Sequence, residues 1–372
     1  MSNRQIKKLL IANRGEIAVR IVRACAEMGI RSVAIYTEPD RYGLFVKRAD
    51  ESYSLGDDPL AGYLNPARIV NLAVETGCDA LHPGYGFLSE NPELARLCEE
   101  KNIAYVGPSS EVIHRMGDKT EARTAMTQAG VPVTPGSDGN LANIEEALVQ
   151  AERVGYPVMI KATSGGGGRG IRRCDDAEDL KSQYPRVISE ATKAFGSAEV
   201  FLEKCIINPK HIEVQVLGDS QGNVVHLYER DCSIQRRNQK LIEIAPSPQI
   251  SEEQRSYLGE MAVAAARYVG YESAGTVEFL LSGEDIYFME MNTRIQVEHT
   301  ITEQITGVDI VREQIRVAEG KELSYKQEDI SYRGYAMQFR INAEDPKNDF
   351  LPSFGRITHY YAPGGPGVRV DT

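Results

Sequence analysis

Two glutamates interrupt otherwise apolar β-runs between Gly275 and Glu303, and they constrain the fold more than any other feature. Thr276, Val277, Phe279 and Leu280 read as one strand and Ile286 to Met291 as the next, with Ser282 and Gly283 in the turn. Glu278 and Glu290 stand inside these runs, where a carboxylate is costly unless it is paired or bound to a cation. Asn292 follows two residues after the second glutamate, so the hairpin offers hard oxygens at one strand end. Mg²⁺ favours that ligand set when it is shared with phosphates. Arg294, Gln296, Val297 and Glu298 come next and add a fixed cation, an amide and a further carboxylate. An ordinary hairpin with solvent-facing acids would explain either glutamate alone. The cluster argues for a site.

Upstream, strands alternate with helices. Lys8–Ala12 is a short apolar strand. A helix follows with Ile17, Ile21, Val22, Cys25 and Met28 on one face and Gly29 at its end. Strands at 32–36, 79–82 and 104–106 continue the pattern, which implies a parallel, Rossmann-like sheet. The first turn holds one glycine instead of G-x-G-x-x-G, which argues against a dinucleotide. The loop H-P-G-Y-G-F-L-S-E-N (82–91) lies at a strand's carboxyl end, where open α/β sheets bind ligands; a purely structural loop would look the same. A stretch dense in glycine and proline (130–139) reads as a linker. Beyond it a β-run delivers Lys161 just before a glycine run at 165–168, with Arg169 at its end. Bare N–H groups of such a loop approach phosphate oxygens closely, although no Walker A motif is present. Residues 211–217 alternate polar and apolar, as a half-exposed strand does. Arg230, Arg236, Arg237 and Lys240 fall close together and read either as a solvated basic loop or as a cationic patch for an anionic substrate. Ser251 caps an amphipathic scaffold helix reaching Gly270.

Composition excludes several classes. With 42% hydrophobic and 26% charged residues the 372-residue chain is globular and long enough for two or three domains. A net charge of −11 argues against nucleic acid or an anionic membrane as partner. No apolar run reaches membrane-spanning length and the start lacks a signal-type core, which leads to a cytoplasmic expectation. The six cysteines are scattered without a C-x-x-C pair, as free thiols in a reducing compartment would be.

The segment E-M-N-T-R-I-Q-V-E-H-T resembles the signature of biotin carboxylases, ATP-grasp enzymes that carboxylate biotin at the expense of ATP. H-P-G-Y-G-F-L-S-E-N, M-G-D-K, the lysine–glycine loop, H-I-E-V-Q-V, E-R-D-C-S-I-Q-R-R-N-Q-K and R-I-N-A-E-D fit the same family in order. The resemblance implies an α/β and α+β chain in three parts. These are a Rossmann-like (pre-ATP-grasp) domain at 1–116, an ATP-grasp domain at 117–325 with a glycine-rich lid at about 133–205, and an incomplete biotin carboxylase C-terminal domain at 333–372. It implies that Lys119, Lys161, Gly167 and Gly168 hold ATP phosphates, with Glu203, Lys204 and Ile206 around adenine and ribose and His211 and Gln235 as further nucleotide contacts. Asn238 stands where the family has histidine and is carried as a nucleotide contact. Ser164 stands where the glycines usually begin, which bears on lid closure.

Glu278, Glu290 and Asn292 would bind Mg²⁺ or Mn²⁺, the two glutamates also facing the nucleotide. Lys240, Arg294, Gln296 and the N–H of Val297 would hold bicarbonate. Glu298 would be its base, and Arg340 would stabilise the biotin enolate beside Tyr85 and Gly86. No A-M-K-M biotin-attachment motif is present, so the resemblance implies a separate biotin carboxyl carrier protein or domain, a carboxyltransferase subunit, and a homodimer. The helix bearing Arg20, Arg23 and Glu27 is a candidate dimer contact, or simply solvated. The implied activity is the first half-reaction of an acetyl-CoA carboxylase or of a pyruvate- or 2-oxo-acid-type carboxylase. The rivals are an ATP-grasp ligase of the carbamoyl-phosphate type and an idle nucleotide-binding subunit.

Overall fold

The computed structural model describes residues 4–137, 139–163 and 170–372, with Phe195 described by its backbone alone. The N-terminal alternation folds as read. Strands β1 (Lys8–Ile11), β2 (Arg31–Tyr36), β3 (Glu51–Ser54), β4 (Ala80–His82) and β5 (Ala104–Tyr105) form a parallel sheet in the order β3-β2-β1-β4-β5. Helices α1 (Gly15–Met28), α2 (Leu44–Arg48), α3 (Pro66–Glu75) and α4 (Pro92–Glu100) connect them. Gly29 ends α1 at φ 70°, the left-handed conformation that suits glycine. Two further helices, α5 (Ser110–Gly117) and α6 (Lys119–Gln128), lead onward. Asp118 caps α6 by accepting from the N–H groups of Thr120 and Glu121, which fixes Lys119 in the first turn.

A small module follows: α7 (Ile144–Val154), β6 (Val158–Ala162), β7 (Ile171–Cys174), α8 (Ala177–Phe195) and β8 (Val200–Lys204). Its antiparallel sheet has the order β7-β6-β8. Among the described residues its core draws on this module alone, with Leu141, Val158, Ile160, Leu180, Val187 and Leu202 in it.

The largest sheet holds β9 (Lys210–Gly218), β10 (Val224–Arg236), β11 (Gln239–Ala245), β12 (Ser273–Ser282), β13 (Asp285–Asn292) and β14 (Ala336–Phe339), ordered β13-β12-β9-β10-β11-β14 and antiparallel throughout. Helix α9 (Glu252–Tyr268), with a complete capping box at Ser251, packs on β9 and β10. Helices α10 (His299–Thr306) and α11 (Ile310–Ala318) follow β13. A two-stranded ribbon of β15 (Glu344–Asp345) and β16 (Leu351–Pro352) lies in the C-terminal segment.

Three sequence expectations change here. β9 is buried along nearly its whole length and is not half-exposed, because it is a central strand whose polar side chains are satisfied by a buried charge network. The segment 229–236 continues β10 instead of forming a loop. Arg20 is buried on α1, where it pairs with Glu303 at 2.9 Å and Asp309 at 2.7 Å of the same chain. That guanidinium is therefore neither solvated nor directed outward to a dimer contact.

Candidate active site

The six-stranded sheet carries a row of charge across four neighbouring strands. Register sets Glu290 of β13 opposite Glu278 of β12, Glu278 opposite Glu213 of β9, and Glu213 opposite Arg230 of β10. The intervening Ile212, Val214 and Val216 join Val277 and Phe279 in a core with Leu258 and Ala262 of α9. Buried carboxylates in a row require cations. Arg230, wholly buried, donates to Glu213, to Gln215 at 2.8 Å, to Thr276 at 3.2 Å, to Gln296 at 2.7 Å and to Thr302 at 2.9 Å. Lys240 of β11 reaches the same place from above. Its Nζ donates to Glu213, to Glu278 at 2.8 Å and to Glu298 at 3.0 Å.

The electrostatics follow. Burial alone would push the Glu213 carboxyl up, but Arg230 and Lys240 hold it down at about 2. Burial likewise opposes ionisation of Glu278, and Lys240 and His211 overcome it, holding this carboxyl well below the usual range. Burial would lower Lys240, yet the three carboxylates raise it well above an ordinary lysine. Glu290 differs. It is exposed as a residue, and desolvation by the surrounding protein, followed by the charge of Glu278, pushes its carboxyl up. An accessible carboxylate pressed by a like charge is suited to taking a cation.

The nucleotide-side candidates gather around this row. Burial lowers Lys119, and Glu290 and Glu203 pull it the other way. Lys161 of β6 pairs with Glu203 of β8, which also accepts from Arg123 at 3.3 Å. The ammonium of Lys204 turns aside and donates to the carbonyls of Gly155 (2.7 Å) and Tyr156 (3.0 Å). Ile206 follows β8, half-buried. His211 Nε2 lies 2.6 Å from Glu278 Oε2, and its Nδ1 lies 2.9 Å from Gln235 Nε2. Burial would lower His211, and the partnership with Glu278 raises it. Gly167, Gly168 and Ser164 lie outside the described residues.

On the other side, Arg294 Nε lies 2.9 Å from Glu90, and its Nη2 donates to Asn292 Oδ1 at 2.9 Å. Asn292 and Gln296 donate their amides to Glu278 Oε1 at 2.8 and 2.9 Å. Val297 is half-buried in the same turn. Glu298 presents one oxygen to Lys240 and the other to Arg340, each at 3.0 Å. Arg340 is itself held by Glu243 at 2.6 Å. The Tyr85 hydroxyl donates to Glu16; burial and that carboxylate push the phenol up, and the charge of Arg340 acts against them. The loop carrying Tyr85 and Gly86 turns at Gly84 (φ 64°), where a Cβ would meet the Asn13 amide at 2.9 Å. That amide ties the carbonyls of Pro83 and Tyr85.

The basic run at 230–240 is not a single patch. Arg230 lies beneath the site, and Arg236 and Arg237 pair outward with Glu344 and Asp349, so only Lys240 faces the cleft. Asn238 sits exposed at the tip of the β10–β11 turn at φ 64°, a conformation that asparagine tolerates well. Glu90, Glu213 and Glu243 are not singled out by the sequence, and Arg230 is read there only as one member of the basic run. Glu213 carried a signal, because it interrupts an apolar strand as Glu278 does. Among the described residues, His211–Glu213–Glu278 and Glu213–Cys232–Glu298 have donor atoms within 4.8 Å of one another, and the Lys240 ammonium bonds to carboxylates of both groups.

Comparison with known proteins bears on this arrangement. Residues 5–113 match the biotin carboxylase N-terminal domain, 118–326 the carbamoyl-phosphate synthase L chain ATP binding domain, and 338–372 the biotin carboxylase C-terminal domain. The 2-oxoglutarate carboxylase small subunit of Hydrogenobacter thermophilus is 59% identical over 98% of this chain and 78% of its own length. Biotin carboxylase 1 of Bacillus subtilis is 55% identical over 99% of this chain and 82% of its own. A crystal structure of the Hydrogenobacter biotin carboxylase domain dimer, with MgADP, ADP and bicarbonate, superposes with a TM-score of 0.94 at 58% identity, covering 97% of this chain and 80% of that one. Among the described residues no helix is long and apolar enough to cross a membrane.

Proposed function

The chain belongs to the biotin carboxylase family, and from that premise we propose which of its residues carry each step. The activity is an ATP-dependent ligation that joins the carbon of bicarbonate to a ureido nitrogen of biotin. Lys119 and Lys161 hold the ATP phosphates, with the loop glycines Gly167 and Gly168. Glu203, the main chain of Lys204 and Ile206, and the pair His211–Gln235 hold adenine and ribose. Glu278 and Glu290 would hold a divalent ion, being opposed acids on neighbouring strands, the Glu290 side chain without a hydrogen bond among the described residues and Glu278 sharing its oxygens with His211, Lys240, Asn292 and Gln296. Asn292 fits less directly, since its Oδ1 accepts from Arg294. A divalent ion held there would supply positive charge to offset that of the phosphate oxygens.

Lys240, Arg294, Gln296 and the Val297 N–H grip bicarbonate, and Glu298 takes its proton. A bicarbonate oxygen then attacks the γ-phosphorus and ADP departs, leaving carboxyphosphate. Its C–O bond breaks to give CO₂ and phosphate. Phosphate removes the ureido proton, and the nitrogen attacks CO₂ while Arg340, beside Tyr85 and Gly86, holds the enolate oxygen. The biotin is carried by a separate carrier protein or domain and passed to a carboxyltransferase, and the enzyme works as a homodimer.

The observation that carries this reading is Glu298 gripped by Lys240 and Arg340, next to the Glu278–Glu290 pair. Phosphate release is measured against bicarbonate and free biotin in turn. Turnover should require both, and Glu290→Gln or Arg294→Ala should lower it by about 10²- to 10³-fold. Bicarbonate-independent release, or carbamoyl phosphate made from ammonia at the faster rate, would overturn the reading in favour of the carbamoyl-phosphate type.

A further inference from the structure

The β10–β11 turn carries Gln235 and Lys240 opposite each other, just behind a tip made of Arg236, Arg237, Asn238 and Gln239. The ladder that should steady this tip is irregular: register shifts occur between Asp231 and Ile234 and again between Ile234 and Gln235. The turn is also an awkward one. Arg237 has φ 53° ahead of Asn238 at 64°, in the place where Asn-Gly or Gly-Gly would sit without strain, and arginine suits that conformation less well than the asparagine after it. Something outside the hairpin therefore holds it.

That support comes from the C-terminal segment. Arg236 pairs with Glu344 and its guanidinium lies 4.0 Å above the ring of Phe350, while Arg237 pairs with Asp349. Asp349 and Phe350 are themselves at φ 53° and 56°. The Arg236–Glu344 pair is sheltered, with side chains 28% and 18% exposed, whereas Arg237–Asp349 is open at 60% and 81%. Screening leaves the open pair little weight, so Arg236 carries the contact, by charge and by stacking.

The same C-terminal segment supplies Arg340. Strand β14 pairs with β11 from Ile242↔Phe339 to Ala245↔Ala336, and Arg340 N donates to Leu241 O at 3.0 Å. Lys240 and Arg340 then take opposite oxygens of Glu298, each at 3.0 Å. One strand pairing and one clasp thus bracket the Lys240–Glu298–Arg340 bridge from its two ends.

We propose that Arg236, clasped by Glu344 and Phe350, is a positioning residue that sets the spacing of Lys240 and Arg340 across Glu298. The inference rests on the roles given above to those three residues. The clasp touches neither Lys119, Lys161 nor Glu203, and Gln235 has its own ties to His211 and to Cys232 O. Its loss should therefore fall on bicarbonate and biotin and spare ATP.

The test compares Arg236→Ala, Arg236→Lys, Glu344→Gln, Phe350→Ala and the Glu344→Gln/Phe350→Ala double variant, with steady-state kinetics for each substrate and thermal unfolding. Arg236→Ala should lower kcat/KM for bicarbonate and for biotin by about three- to tenfold, with KM for ATP changed less than about twofold. Arg236→Lys should recover part of the loss. The Glu344 and Phe350 losses should be less than multiplicative when combined, because both act through one guanidinium. Unchanged bicarbonate and biotin kinetics would overturn the proposal, as would a loss shared equally by ATP and matched by a fall in Tm. Absence of bicarbonate-dependent turnover in the unaltered protein would instead remove the functional reading beneath it.

Discussion

A buried imidazole whose Nδ1 already accepts a backbone hydrogen bond has no place for a second proton. His82 is such a residue: it lies wholly inside, accepts from the N–H of Gly84 at 3.0 Å, and burial pushes its pKa down to about 3. Burial also lowers His226 and His299. In the unfolded chain these rings take protons near pH 6.5, so below that pH the unfolded state binds more protons than the native one. Their contribution is complete above about pH 6.5 and is lost as pH falls, for His82 down to about 3, at roughly 1.4 kcal/mol per pH unit for each ring kept neutral. His211 runs the other way: Glu278 outweighs burial and raises it, so its share is present at low pH and lost as pH rises through the raised value. Urea unfolding across pH 4–6.5 should show stability falling with acid, and His82→Asn should shallow that slope. At this scale the sequence was legible where chemistry is carried by residue type, as with Glu278, Glu290, Lys240 and Arg294. It was not legible where chemistry is carried by exposure. H-I-E-V-Q-V has the same alternation whether Glu213 and Gln215 face water or a buried guanidinium, so nothing in the string announces Arg230 as their partner.

Strand β10 shows the same limit at the scale of an element. The sequence breaks after Tyr228, where E-R-D begins a polar run. The structure carries the strand through to Arg236, with a register shift between His226 and Glu229 and Tyr228 at φ 64°. The break in pattern is a bulge. It re-aims the chain so that Arg230 enters the sheet's charged row and is not sent into solvent. The hairpin of β12 and β13, by contrast, was readable because two apolar runs flank a turn signal, although Ser282 ends β12 opposite Asp285 and the turn itself is Gly283 and Glu284. Arg230→Met should leave Glu213 buried beside Lys240 alone. We expect a loss of about 3–5 kcal/mol of unfolding free energy, measured by urea denaturation, with part recovered by adding Glu213→Gln. A loss below about 1 kcal/mol would mean that Lys240 suffices to neutralise the row.

Across the whole molecule, sheets and cores divide the chain differently. The parallel sheet and the six-stranded sheet share no strand pair, yet one apolar cluster joins Ile6, Leu9 and Ile21 to Leu217, Ala274, Ile295 and Ile315. The linker-rich sequence around 130–139 marks a change of sheet, but the continuity of that core depends on packing between distant residues and left no local trace. Among the described residues, the module of β6–β8 with α7 and α8 has its own apolar cluster, separate from that of the other sheets. Native-state hydrogen exchange should therefore find the amides of β6 and β8 opening at a free energy about 2 kcal/mol or more below those of β1 and β12. Equal protection in all three sheets would show that the module does not open on its own.

The way this module is attached has a further consequence. Its chain enters and leaves side by side: Lys204 N donates to Pro135 O at 2.7 Å, and Gly136 bridges to Glu203. A segment joined at two adjacent points and holding its own interior is a natural cassette. Evolution or an engineer could exchange it whole with that of a relative while leaving the acid row and Arg294 where they are.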